Sequence, residues 1–478
     1  MPSLTPSTRH LVDRFAYGVT DDLVADVRSQ GGGEGWFRSQ LRRSESDTLA
    51  ARLIPTWFPL LNALPQVQYA SHIAGVRTAN TVGDELIAQN FARRILSRHQ
   101  VYETMVDFWS NLLYVPVNDD RSFPWRTDFE LTAIRPHALG TYRAMLKQAI
   151  VHPAMAGYLT NDLNHKDGIN ENLGRELLEL HTVGRRYDEA DVLNAARLLT
   201  GFTVNVFIDY RAAYDANRHY TGRINVLNFS HANRAKDGRA ALDDLLGYLA
   251  GHPFTARRIA ERLCVRFVSD DPPESIVKAV STAYQRSGTD ISATLTALVR
   301  HPQFQKSRRE KVWTPSDDVV RTARVMGLEP VGGLAMNDSF IQHLVRTARD
   351  MGQVPYRWPA PDGWPETSSD YLSASRVLRS WQHHYQLAAT TSDVFRSVNV
   401  ASKASQLPAR WPQTLAQLTE HQSQRLLGRS ATPELVRAVA NAIGTTRTRR
   451  YRSAAGLSDS HYQLLRGTVL NSPAGLER

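Results

Sequence analysis

Apolar residues recur three and four positions apart along almost the whole chain, the period by which an α-helix buries one face. The pattern is plain in residues 139–150 (LGTYRAMLKQAI), 188–200 (DEADVLNAARLLT), 274–285 (ESIVKAVSTAYQ) and 290–300 (DISATLTALVR). Alternation of period two is scarce, and residues 201–228 are the best place for a small β-hairpin. These periods predict an all-α fold of many helices. Repeats of about 20–50 residues are not visible, which argues against a solenoid. A chain of 478 residues buries enough apolar surface to need no covalent or metal staple. Its one cysteine, Cys264, makes neither an internal disulfide nor a cysteine-based zinc site. The predicted organisation is a single helical domain over residues 1–478, with room for two lobes. Residues 402–414 (SKASQLPARWPQT) are the linker candidate, ahead of a last helical segment.

Charge narrows the partners. The net charge is +10, and of 57 basic residues seven are lysine and fifty arginine. Guanidinium forks suit phosphate and carboxylate groups, but acids and bases alternate through most of the chain, as on ordinary solvated faces. The exception is Arg447, Arg449, Arg450 and Arg452, a candidate anion contact. No nucleic-acid module accompanies it, which argues against nucleic acid as the partner. Residues 1–20 read as a short amphipathic helix rather than a secretory leader. Runs of about 18 apolar residues, the length of a membrane span, are also missing. The expected setting is the cytoplasm, with no membrane contact.

The segment from Asn170 to Val183 carries the densest chemistry. Asn170 is a good N-cap and Gly184 a good C′ residue. With Asn172 at zero, Glu176 falls at about 40°, Glu179 at about 340° and Arg175 at about 300°. Leucines 180, 173, 177 and 178 span the arc from about 80° to about 240°, with His181 inside it at about 180°. Glu176 and Glu179 therefore share a face that His181 leaves, so this helix alone offers no Glu–Glu–His metal triad. Asn172, Arg175, Glu176 and Glu179 form a polar strip, read either as an exposed ion ladder or as the lining of a pocket. In a pocket, two carboxyls at this spacing can have their pKa values driven apart, leaving one acid and one base. The next helix opens with an Asp188–Asp191 capping box and is expected to end near Gly201. It runs back alongside the first and is expected to bring Arg197 to Glu176, as a clasp or as part of a site.

Other candidates are single residues. His181 is a core histidine or a ligand reaching into a pocket, and is expected to be buried. His231 lies in a polar loop (HANRAKDG) that could serve a pocket. The aromatic loop PYRWPAPDGWPE places Trp364 and Trp358 where they could form a platform for a sugar or plug a lid onto the core. HPFTARR reads as a helix start with Pro253 in its first turn, and His383-His384 as part of an amphipathic helix. HExxH, GxSxG, P-loop and GxGxxG motifs are absent.

Residues 170–201, NENLGRELLELHTVGRRYDEADVLNAARLLTG, resemble the signature of the bacterial family catalogued as domain of unknown function 1800. FWSN (108–111), IRPHALGTYRAML (134–146), HPAMAGYL (152–159), HPFTARRIAERLCVRFV (252–268), PDGWP (361–365) and the closing LLRGTVLNSPAGLER match in the same order. The resemblance spans nearly the whole chain and implies a mostly helical fold. Two departures stand out. Family members read something like WHNHF where this chain has Trp109-Ser110-Asn111-Leu112-Leu113, and a His-Asp pair where it has His231-Ala232.

The function expected from these residues is an enzyme with a polar pocket in which Glu176, Glu179 and Arg197 are catalytic. Asn172, Arg175, His231 and Trp364 would bind substrate. The chemistry would be acid–base hydrolysis or elimination on a small polar substrate such as a glycan or acid metabolite. The sequence requires no cofactor. Two rivals stay open: a haem- or divalent-metal enzyme with His181 or His231 as ligand, and a basic binding or scaffold protein without catalysis.

Overall fold

The computed structural model describes residues 4–43, 47, 49–332, 339–390 and 397–478. The fold is helical throughout, and the sheets among these residues are two-stranded antiparallel ladders. Residues 201–231 hold two such ladders, one inside the expected 201–228 region and one reaching past its end. Phe202–Val204 pairs with Ala212–Tyr214, and Ile224–Val226 with Phe229–His231. Two more join distant segments: Leu328–Pro330 with Val398–Val400, and Gln413–Thr414 with Arg450–Tyr451. Ladders of two or three residues leave too little alternation to show in a sequence.

Helix starts follow from local chemistry. His152, His252 and His301 each precede a proline, and each ring nitrogen Nδ1 accepts the backbone N–H two residues on, at 3.1, 3.2 and 3.3 Å. The His-Pro pairs are therefore caps, with proline where its missing N–H costs nothing. The expected capping box at Asp188 and Asp191 is present in both directions. That helix ends at Leu198, before Gly201, because Thr200 Oγ1 turns back to bond the Arg197 carbonyl at 2.6 Å.

Buried apolar residues fall into two principal clusters. One gathers around the helices Gln100–Leu112, Tyr142–Ile150, Arg239–Gly251, Pro253–Phe267 and Glu274–Arg286. The other gathers around Ala79–Leu96, Pro315–Met326, Phe340–Asp350 and Leu415–Leu427. The segment 402–414 is packed against the second. Its Gln406 is buried and bonds the Met326 carbonyl at 3.0 Å. Charged side chains from both groups of helices meet between them, and that junction positions the site.

Candidate active site

The signature helix runs as an α-helix over Asn172–Glu176 and widens to a π-helix over Leu177–His181. Asn170 Oδ1 accepts the Asn172 N–H at 3.0 Å, and Gly184, at φ 70°, returns its N–H to the Leu178 carbonyl. A π-turn is a costly local choice that often accompanies a functional surface. His181 is buried at 1% exposure, as the leucine arc required. Burial first, then the Arg258 charge, lowers its pKa to about 4, so it is neutral.

The polar strip divides. Arg175 is bound by both oxygens of Glu189, at 2.9 and 2.6 Å. Glu179 accepts from Tyr187 at 2.7 Å and Arg185 at 2.8 Å, and these bonds lower its pKa. Asn172 bonds the Leu159 carbonyl at 3.2 Å. Glu176 is partly buried, and that enclosure, then Glu179, raises its pKa against the pull of Arg175. The two carboxyls are indeed driven apart. The expected Arg197–Glu176 contact does not form. Arg197 bonds Asn194 Oδ1 at 3.3 Å and stacks 4.7 Å over the Tyr220 ring, because the chain after its helix folds back across it. His231 lies on the second hairpin, its Nδ1 accepting the Asn233 N–H at 3.0 Å. The structure shows no contact between either residue and Glu176.

The aromatic loop acts on Glu176 through charge. Asp362, two residues before Trp364, is close enough for its charge to push the Glu176 pKa further up. Tyr158 joins them. Enclosure, then Asp119, Glu176 and Asp362, push its hydroxyl up to about 12. The two tryptophan rings of the loop sit 4.7 Å apart.

Trp364 also lines a cavity of about 30 Å³ at the junction of the two groups of helices. That is room for a water molecule. Asp107, Ser110 and Asn111 reach it from the last turns of Gln100–Leu112, at the three- and four-residue spacing of one helix face. Arg266 comes from the end of Pro253–Phe267, Ser316 and Asp317 from the start of Pro315–Met326. The loop from Gln353 to Glu366 closes it. Asn111 fastens that loop. Its amide donates to the Trp364 carbonyl at 2.8 Å and Glu366 Oε1 at 3.2 Å, and its Oδ1 accepts the Trp364 N–H at 2.8 Å. Gly363 is required at this seam. Its φ is 73°, and a Cβ would collide with the Asn111 carbonyl oxygen.

The cavity's aspartates are unlike in state. Asp317 accepts from Arg94, from Arg266 at 3.0 Å and from Arg478 at 2.7 Å. Burial pushes its carboxyl up, but the three guanidinia outweigh burial and hold it below the usual range. Asp107 goes the other way: burial, then repulsion from Asp317 and Glu366, raise its pKa against Arg94 and Arg266. Its side chain is 20% exposed, so solvent reaches it, and Arg266 stands 3.7 Å away. Glu366 Oε2 and Ser110 Oγ are buried with no hydrogen-bond partner, and Arg266 lies 3.5 Å from that Glu366 oxygen. Unsatisfied buried acceptors around a water-sized space are what a guest would occupy.

A family model described as "Protein of unknown function (DUF1800)" matches residues 10–474. The chain belongs to this family. No curated protein and no solved structure matches. The segments that resemble the family now have a place. FWSN and PDGWP are the two halves of the Asn111 clasp, and the 252–268 segment supplies Arg266. Ser110, within the FWSN segment, is in the cavity wall.

Asp107, Arg266, Asp317 and Glu366 were not among the residues the sequence singled out. The only signal was adjacency, since Asp107 precedes FWSN and Glu366 follows PDGWP. Among the described residues, no group of three or more His, Cys, Asp and Glu side chains is arranged to hold a metal ion. His181 and His231 are likewise not joined by further ligands of that kind. No helix among the described residues is long and apolar enough to cross a membrane.

Proposed function

We propose that this DUF1800 chain is a hydrolase that works by carboxylate acid–base chemistry, with the Asp107–Glu366 cavity holding the attacking water, on a polar substrate such as a glycan or acid metabolite. The observation that carries the reading is the pairing of two unlike carboxyls in one water-sized space. Asp107 is driven towards its protonated form within reach of solvent, and Glu366 presents an oxygen with free lone pairs. In this reading Glu366 Oε2 takes a proton from a water whose oxygen bonds to the electrophilic carbon. Asp107 gives its proton to the departing oxygen, and solvent exchange restores both. Arg266, between the two, steadies the negative charge that develops. Asp317 is a positioning residue, since its oxygens are occupied by arginines. Glu176 and Asp362 would contact the substrate outside the loop, replacing the grouping of Glu176 with Arg197.

The test is hydrolysis of a panel of glycosides, esters and acid metabolites by the wild-type chain, Asp107→Asn and Glu366→Gln. The reading predicts a panel member that wild type cleaves and both variants leave nearly intact. A wild-type chain inert towards the panel, or variants as active as wild type, would contradict it.

A further inference from the structure

Arg478 connects the cavity to a second concavity. Its Nη1 bonds Asp317, while its guanidinium lies 4.6 Å from the Trp313 ring. Trp313 lines a cleft of about 420 Å³, within the range of small-molecule sites. Seven basic side chains line that cleft against two side-chain carboxylates, Asp13 and Glu477. Both carboxylates are already engaged, Asp13 by Arg9 and Glu477 by Arg429, each at 2.8 Å. Arg321 bonds the carbonyls of Gly475 and Leu426, and Arg478 bonds Asp317. Lys306, Arg308 and Arg309 remain. They are exposed, and no carboxylate among the described residues forms an ion pair with them.

Two further features fit an anionic ligand. The Trp313 side chain is 1% exposed, yet its indole N–H has no acceptor. The neighbouring titration also registers the positive field: burial first, then Arg14 and Arg308, lower the His10 pKa to about 3. Trp313 already has the guanidinia of Arg321 and Arg478 against its ring, so it is not a free platform for a nucleobase or sugar. Recognition would rest on charge and oxygen acceptors.

We propose that this cleft binds a small multiply charged oxyanion, specifically a chain of phosphate groups, between the Lys306–Arg309 segment and the Trp313 floor. A phosphate chain offers several charges in a compact form and oxygens matched to guanidinium forks. Its oxygens are also acceptors of the kind that the Trp313 N–H lacks. This site meets the proposed catalytic cavity only through the Arg478–Asp317 bond, and its reading does not rest on the proposed hydrolysis.

The experiment is calorimetric titration of the full chain with inorganic tripolyphosphate at constant ionic strength. One site is expected. Arg308→Gln/Arg309→Gln removes only exposed side chains and should weaken binding about tenfold or more, the scale of losing one or two charge-assisted hydrogen bonds. Trp313→Phe keeps a ring between the guanidinia and should weaken it several-fold. Arg450→Gln/Arg452→Gln removes equal charge elsewhere and should leave it unchanged. Citrate, a tricarboxylate of similar charge, should bind at least tenfold more weakly. Undiminished binding by Arg308→Gln/Arg309→Gln, equal loss in Arg450→Gln/Arg452→Gln, or citrate binding as tightly as tripolyphosphate would overturn the proposal.

Discussion

Replacing Asp317 by asparagine keeps the side chain's shape and removes the charge that three buried guanidinia share. Arg94 is 0% exposed and Asp317 2%, so water cannot take the carboxylate's place. Removing one partner of a buried pair costs about 3–5 kcal/mol. Asparagine keeps one acceptor oxygen but turns an N–H2 donor towards the remaining guanidinia, and Arg94, Arg266 and Arg478 all lose the charge that offsets theirs, so the upper part of that range is expected. Asp459, paired with Lys403 but 83% exposed, is the control. Asp459→Asn should cost about 1 kcal/mol or less. Equilibrium unfolding in urea measures both.

The pH dependence fixes the sign. Asp317 has a lowered pKa when folded, so its stabilisation is complete above the unfolded value, about 3.9. It is lost as pH falls through the folded value, and the gap between wild type and Asp317→Asn should narrow below about pH 4. A loss below about 1 kcal/mol at pH 7, or a gap unchanged down to pH 3, would refute the reasoning.

Three further outcomes follow from the same geometry. Glu176→Gln should leave stability at pH 7 unchanged or slightly higher, because a raised carboxyl pKa opposes folding as pH rises through it; a loss of about 3–5 kcal/mol in urea would restore the clasp reading. Gly363→Ala should cost about 1–3 kcal/mol through backbone strain, plus the clash with Asn111, and Asn111→Ala should then add less than its own cost in the double variant. His252→Ala should lose about 0.5–2 kcal/mol, the scale of an N-cap, with no effect on turnover.

Much of the fold was legible because its cause is local. Periods of three and four mark helices wherever one face is buried, and caps such as Asp188 are chemistry within a few residues. The burial of His181 followed from its place among leucines, and the separation of Glu176 from Glu179 from their angle to that arc. What failed was distance along the chain. Arg197 has no sequence mark to show that Tyr220, rather than Glu176, will receive it. The ladder between 328–330 and 398–400 is equally invisible. The cavity draws Asp107, Arg266, Asp317 and Glu366 from four elements spread between residues 107 and 366, and each alone reads as an ordinary surface charge. Trp364 was singled out for its aromatic loop, and it does line the cavity, beside acids that the aromatic pattern does not announce.

The decisive measurement is turnover and stability together for Asp107→Asn, on the panel substrate that the wild-type chain cleaves. Asp107 has a raised pKa when folded, so its ionisation works against folding as pH rises. The variant should therefore be as stable as wild type at pH 7, or slightly more so. Its rate should fall by about 10²-fold or more, the scale of losing a catalytic acid. Wild-type turnover by a folded Asp107→Asn chain, or a loss of rate matched by loss of folded protein, would contradict acid–base catalysis in this cavity.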